Sequence, residues 1–332
     1  MRKAVKNKLV QCILLRANDE ETLDESPREN STLVVDFMAL IRTMVGISEL
    51  AMQVVKSVPK GYQRVDFVAD TYLLNSIKDA ERAKRGMSSK ILIASSKSKV
   101  PRDFKEFLKS GENKTRMIKI IFDVLKENRA TVLNTMRTQK LVTSMEGACM
   151  AITLSSIQHF EGLLNNQEEA YTKVILHSIN AMEENPSTQV IIKSPSGDTD
   201  IVVLALAKLY QYRNQVIIDN CTGNSRKLIP LSTCDVIERK ADALLGLHAF
   251  TGNDYNSSFF KKGKERTLKL MEKHSRFEET FFQLGRSEDV SAELMNELEE
   301  FVCYLYGHKI KDIDKVSCNQ LRLICVFLTL TV

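Results

Sequence analysis

The chain has 332 residues, 43% of them hydrophobic and 27% charged, with 47 Lys/Arg against 42 Asp/Glu and a formal net charge of +5. That length suits one large α/β domain or two ordinary ones, and the composition excludes a disordered or fibrous chain. Seven cysteines, an odd number without Cys-x-x-Cys spacing, argue against a disulfide framework or zinc knuckle and for a reducing, intracellular compartment, while five scattered histidines give a His-based metal site little support.

Residues 1–30 contain an acidic polar stretch at 19–29 that reads as a loop or linker, and the N-terminus lacks the long apolar core of a secretory signal. The first strand is expected at 32–36, followed by a helical pattern to about Lys56. A second strand at 64–69 leads to a helix around 75–85, and Ile91-Leu92-Ile93-Ala94 reads as a short third strand. Residues 101–139 read as helical and basic, with Pro101 suited to a helix start and Met117, Ile118, Ile121 and Leu125 forming one apolar stripe. Residues 150–154 resemble another strand. A helix at 168–183 ends before Asn185-Pro186, a strand follows at 189–192, and a helix runs from Asp198 to about Tyr212. Val216 to Asp219 and Arg226 to Ile229 flank Thr222-Gly223-Asn224-Ser225, a hairpin signal. From Asp235 onward the pattern is mostly helical. The apolar ending 323–332 is too short to span a bilayer, and no membrane association is expected. The expected fold is α/β, a mostly parallel twisted sheet flanked by helices, with an α-helical C-terminal region.

Five aspartates, at four sites, fall at the ends of apolar stretches. Asp36 follows Leu33-Val34-Val35, Asp70 closes Val65-Asp66-Phe67-Val68-Ala69, and Asp198 and Asp200 follow Val190-Ile191-Ile192 after a Ser-Pro-Ser-Gly turn. Asp254 stands in Thr251-Gly252-Asn253-Asp254-Tyr255. Open α/β sheets place their sites beyond the carboxyl ends of strands, where gathered carboxylates repel one another unless a cation neutralises them. Oxygen ligands without Cys or His suit Mg²⁺ or Mn²⁺. Singly, each residue has an ordinary reading: Asp198 as a helix cap, Asp36, Asp70 and Asp254 as turn residues, and Glu168 and Glu169 as favourable charges at a helix start. Two segments are locally basic: 97–119 holds eight Lys/Arg against three Asp/Glu, and 261–276 holds seven against two. Each also reads as a solvated helix face. His248 and the cysteines are expected in the interior.

The order of these motifs resembles the PIN-like nucleases of the flap endonuclease and 5′-exonuclease superfamily, over residues 33–271. In that family one Asp ends the first strand, like Asp36, and a second ends the next strand before a basic helix, like Asp70 ahead of Lys78, Arg82, Lys84 and Arg85. A helix with paired acids follows, similar to Gln167-Glu168-Glu169-Ala170, then an Asp-x-Asp like Asp198-Thr199-Asp200, then a Gly-x-Asp-Tyr like Gly252 to Tyr255. A Gly-x-Gly turn that holds a duplex phosphate is matched at Gly263, with Lys261 in place of the first glycine, beside Lys262 and Lys264. Two residues after Glu169, where the family has its second acid, stands Tyr171.

The resemblance implies two-ion Mg²⁺ or Mn²⁺ phosphodiester hydrolysis with Asp36, Asp70, Glu169, Asp198, Asp200 and Asp254 catalytic and Glu168 a further metal ligand. It implies nucleic-acid contacts from Lys78, Arg82, Lys84, Arg85, Lys261, Lys262, Gly263 and Lys264, and DNA, more than RNA, as partner, hence a nuclear location. The implied division is an extension over 1–30, a PIN-like domain over 31–260 with a basic, arch-like insert at about 97–140, and a helical region over 261–332. Two other readings stand beside it. One is a haloacid-dehalogenase-like phosphatase using Asp198-Thr199-Asp200, which the intervening turn and the earlier strand-end aspartates disfavour. The other is a catalytically degraded PIN-like scaffold that binds nucleic acid or protein, which Tyr171 favours.

Overall fold

The computed structural model describes residues 7–14, 30–44, 50–73, 76, 103–194, 198–222, 225–234, 236–253, 256–307 and 317–321. In chain order the elements are α1 (Asn7–Leu14), β1 (Ser31–Asp36), α2 (Phe37–Arg42), α3 (Leu50–Ser57), β2 (Arg64–Val68), α4 (Phe104–Phe107), α5 (Gly111–Glu127), α6 (Arg129–Met136), β3 (Lys140–Met145), β4 (Ala148–Ile152) and β5 (Ile157–His159). They continue with α7 (Ala170–Glu184), β6 (Gln189–Ser194), α8 (Thr199–Lys208), β7 (Val216–Thr222), β8 (Ser225–Pro230), α9 (Glu238–Phe250), α10 (Lys264–Lys273), α11 (Ser275–Gln283) and α12 (Ala292–Tyr306). The expected strand at 91–94 lies outside the described residues, as does the expected helix at 75–85 apart from Ser76. No helix among the described residues is long and apolar enough to cross a membrane.

The chain divides into two compact units, one of residues 19–205 and 211–233, the other of residues 1–18, 206–210 and 234–332. The N-terminal helix α1 groups with the C-terminal helices.

The first unit holds an eight-stranded sheet in the order β5-β4-β3-β2-β1-β6-β7-β8. The five strands from β3 to β7 run parallel, and the hairpin partners β4, β5 and β8 are antiparallel. The chain steps from β1 to β2 on one side and later from β6 to β7 on the other, so strand order reverses between β1 and β6. Strands β1, β2 and β6 are almost wholly buried, as their Val/Ile-rich runs require of a sheet covered on both faces.

Alternate residues serve different layers. Leu33, Val35, Val65, Phe67, Leu141, Ile191 and Ile217 meet Phe37, Val54, Ile118, Phe122 and Val132 in one core. The stripe on α5 is buried as expected, Met117, Ile118, Ile121 and Leu125 facing inward. The described part of the basic, arch-like insert, 103–139, packs into this core through that stripe. Its basic residues are partly consumed there. Lys114 is buried with Nζ 4.3 Å from the Tyr72 ring centre, and Lys109 and Lys126 pair with Glu106 and Asp123.

The other face is covered by α7, which packs on β1, β2 and β6. Its seam is polar. Arg64 and Asp66 lie on one face of β2; Arg64 Nε and Nη2 donate to Asp66 Oδ1 and Oδ2 at 2.7 and 2.6 Å. Arg64 Nη1 reaches Asn180 and Glu184 at 2.9 and 2.8 Å, and His177 Nδ1 lies 2.7 Å from Asp66 Oδ2. Burial alone would raise the Asp66 carboxyl, yet Arg64 and His177 hold it below the usual carboxylate range.

The second unit is helical around an aromatic core. Phe277, Phe281 and Phe301 stack edge to face with centroids 4.8–5.2 Å apart, and Phe250 adjoins Phe281 and Phe301. Gly246 lets α9 cross α11 closely, because a Cβ there would collide with the Phe281 carbonyl. His248, Cys234 and Cys303 are buried as expected, and Cys149 is buried in the sheet unit; Cys12 and Cys318 are half-buried.

Candidate functional site

Parallel pairing aligns the carboxyl ends of β2, β1 and β6. Asp36 pairs with Val68, two residues before Asp70, and Val35 pairs with Lys193, one residue before β6 ends. Asp198 follows four residues later, immediately before α8. Three carboxylates from different parts of the chain thus gather at adjacent strand ends, at the point where strand order reverses, which is where open α/β sheets form their crevices.

Their proximity registers in Asp36, whose carboxyl is raised from 3.8 to about 7. Burial is the largest cause, followed by the Asp70 charge, with Asp198 adding to it. The ordinary roles coexist with this clustering. Asp36 caps α2, accepting from the Ala39 amide at 2.9 Å, and Asp198 Oδ1 accepts from the Asp200 amide at 3.0 Å. Both are half-buried, and each helix start holds the carboxylate in place.

Asp70 is fixed from several directions. Its Oδ1 accepts from the Ala170 amide at 2.9 Å and its Oδ2 from the Tyr72 hydroxyl at 3.1 Å. The Thr71 amide donates to the Glu168 carbonyl at 2.8 Å, joining the segment just before α7 to the end of β2. Glu168 and Glu169 precede that helix and are not within it as expected: α7 begins at Ala170, and Glu169 occupies its cap position. The Glu168 carboxylate accepts from Ser76 Oγ at 3.0 Å. Tyr171 is half-buried.

Lys173, which no motif singles out, lies one turn into α7 and is 1% exposed. Its Nζ donates to the Ala69 carbonyl at 3.1 Å and to Thr71 Oγ1 at 2.6 Å. Burial lowers its ammonium from the ordinary 10.5 to about 8, against the opposing charges of Asp70, Glu169 and Glu146. On a helix of mixed composition a lysine reads as a solvated side chain; only the tertiary fold turns this one inward.

The all-oxygen donor set fits Mg²⁺ or Mn²⁺ in kind. Among the described residues no three acidic, Cys or His side chains already form a closed ligand group. Asp254 lies outside the described residues, as do Lys78, Arg82, Lys84 and Arg85. The glycine of its motif has a backbone reason of its own: Gly252 has φ 105° and sits against the Ser258 backbone.

The second basic group separates on inspection. Lys261 is exposed with φ 53°, Lys262 is half-buried over Tyr306, and Gly263 is exposed at the start of α10. Lys264 corrects an expectation. It is 2% exposed, its Nζ donating to the His248 carbonyl at 2.6 Å and Thr251 Oγ1 at 3.0 Å, so it braces the α9–α10 connection and cannot reach a nucleic-acid phosphate.

Comparison with protein-family models, with curated proteins and with solved structures finds no match. What fold and site define is therefore a class: an α/β protein with an eight-stranded, mostly parallel sheet and carboxylates at its strand-order reversal.

Proposed function

We propose that this chain is a Mg²⁺- or Mn²⁺-dependent nuclease hydrolysing phosphodiester bonds of DNA at flaps, branches or free ends, in the nucleus. The observation that carries the reading is the gathering of Asp36, Asp70 and Asp198 at three adjacent strand ends, where burial first and then the charges of Asp70 and Asp198 raise Asp36. Carboxylates gathered at one point repel one another unless a cation neutralises them. When bound, two such ions would supply an activated water and charge neutralisation on the phosphoryl oxygens.

In this reading Asp36, Asp70, Glu169, Asp198 and Asp200 hold the ions, with Glu168 beside them. The amides of Ala39, Ala170 and Asp200 each hold one oxygen of Asp36, Asp70 and Asp198 in turn and so orient three of these carboxylates. The basic residues Lys78, Arg82, Lys84 and Arg85 meet the substrate phosphates, Arg with a bidentate fork and Lys as a point charge. Lys261, Lys262 and the amide of Gly263 hold flanking duplex.

The test is cleavage of labelled single-stranded, duplex and 5′-flap DNA and their RNA counterparts, with Mg²⁺, Mn²⁺ or chelator, beside Asp198→Asn/Asp200→Asn. Metal-dependent cleavage lost in the variant supports the nuclease. Tyr171, standing where the resemblance calls for a second acid, supports the other reading, an inactive nucleic-acid-binding or protein-interaction scaffold. Binding of DNA without cleavage of any substrate selects that alternative.

A further inference from the structure

Resting on that reading, we infer that Lys173 is a positioning residue that sets the Asp70 carboxylate for cation binding by clamping the backbone on both sides of it. Its ammonium bonds residue 69 through the carbonyl and residue 71 through the hydroxyl, so Asp70 sits at the apex of a three-residue bracket. The bracket ties β2 to α7, whose Ala170 amide in turn holds Asp70 Oδ1. Ala69 extends the ladder to Ser144 through its amide at 2.9 Å, so one side of the bracket is anchored in the sheet. A buried ammonium is costly unless its donors are satisfied; here the Ala69 carbonyl and the Thr71 hydroxyl, both in the segment that presents Asp70, accept from it.

Two physical effects of removing this charge have opposite signs. By Coulomb's law alone, deleting a cation beside Asp70 and Glu169 strengthens binding of another cation. Loss of the bracket weakens it, because residues that orient ligands typically contribute about 10–100-fold to metal affinity. The direction of change therefore separates a positioning lysine from a mere counter-charge.

The experiment uses the full chain with Lys173→Met, which keeps the stem and removes the charge, and Thr71→Val, which removes one acceptor and no charge. Mn²⁺ affinity is measured by calorimetry, and amide exchange at Ala170 by NMR relative to sheet amides such as Val65. The expected result is Mn²⁺ binding weakened about tenfold in Lys173→Met and in the same direction in Thr71→Val, with faster exchange at Ala170 in both. Unchanged or tighter Mn²⁺ binding with unaltered Ala170 exchange overturns the inference. Should Lys173→Met fail to fold, Thr71→Val carries the same two readouts. Wild-type protein that binds no Mn²⁺ sinks the proposed function, and Ala170 exchange then decides the positioning role alone.

Discussion

Replacing Asp36 by Asn should stabilise this protein at alkaline pH and do nothing near pH 4. The folded carboxyl titrates at about 7 against an ordinary 3.8. The folded state therefore holds the proton more tightly than the unfolded chain, and the contribution to stability is full below the unfolded value and lost as pH rises toward 7. A shift of about three units corresponds to about 4 kcal/mol at ~1.36 kcal/mol per unit. Asp36 is half-buried and solvent screens part of the repulsion, so about 2 kcal/mol is the better expectation. Asn keeps the side-chain oxygen that accepts from the Ala39 amide, so capping of α2 is retained. Urea unfolding in chelator at pH 4.5, 6 and 8 measures it: the variant's advantage should grow across that series and shrink when Mg²⁺ stabilises the wild type. A variant less stable than wild type at pH 8, or a difference that ignores pH, refutes the claim that carboxylate crowding strains this end of the sheet.

Arg64→Met leaves Asp66 buried without its bidentate partner and should cost about 3–5 kcal/mol in chemical unfolding. Asp66, held low in the folded state, contributes stability above its unfolded value that is lost as pH falls through the folded one, so the variant's deficit should narrow in acid. Gly246→Ala forces α9 away from Phe281 and should destabilise by about 1–3 kcal/mol, read as a lowered Tm. Lys261→Ala and Lys262→Ala should each flatten the salt dependence of DNA binding by a slope of about one, while Lys264→Met should lower thermal stability and leave that slope unchanged.

The parts of the fold that announced themselves were those with one dominant interaction. Strands β1 and β6 are short Val/Ile runs because both faces are buried, and the α5 stripe is unmixed. Strand β5 is three exposed residues at a sheet edge, and β3 mixes Lys, Thr and Ser with its apolar positions, so neither carries a pattern. For the site, Asp36, Asp70 and Asp198 were visible because each ends an apolar run. Lys173 and Asp66 were not, since a buried charge differs from a solvated one only in what the distant chain brings to it. Lys264 is the same lesson reversed: sequence counts it with a basic cluster, while the fold spends it on two acceptors of a neighbouring loop.

The strand order has a consequence for synthesis. β1 pairs with β2 within about thirty residues, but its other edge waits for β6, with Ser31 meeting Gln189. A nascent chain that has emerged only through β5 therefore presents Leu33 to Val35 along an unpaired, fully apolar edge, the kind of strand that invites association with other chains. Asp36 and Asp70 meet as soon as β1 pairs with β2, whereas Asp198 follows β6 in the chain and joins them only once that edge can close.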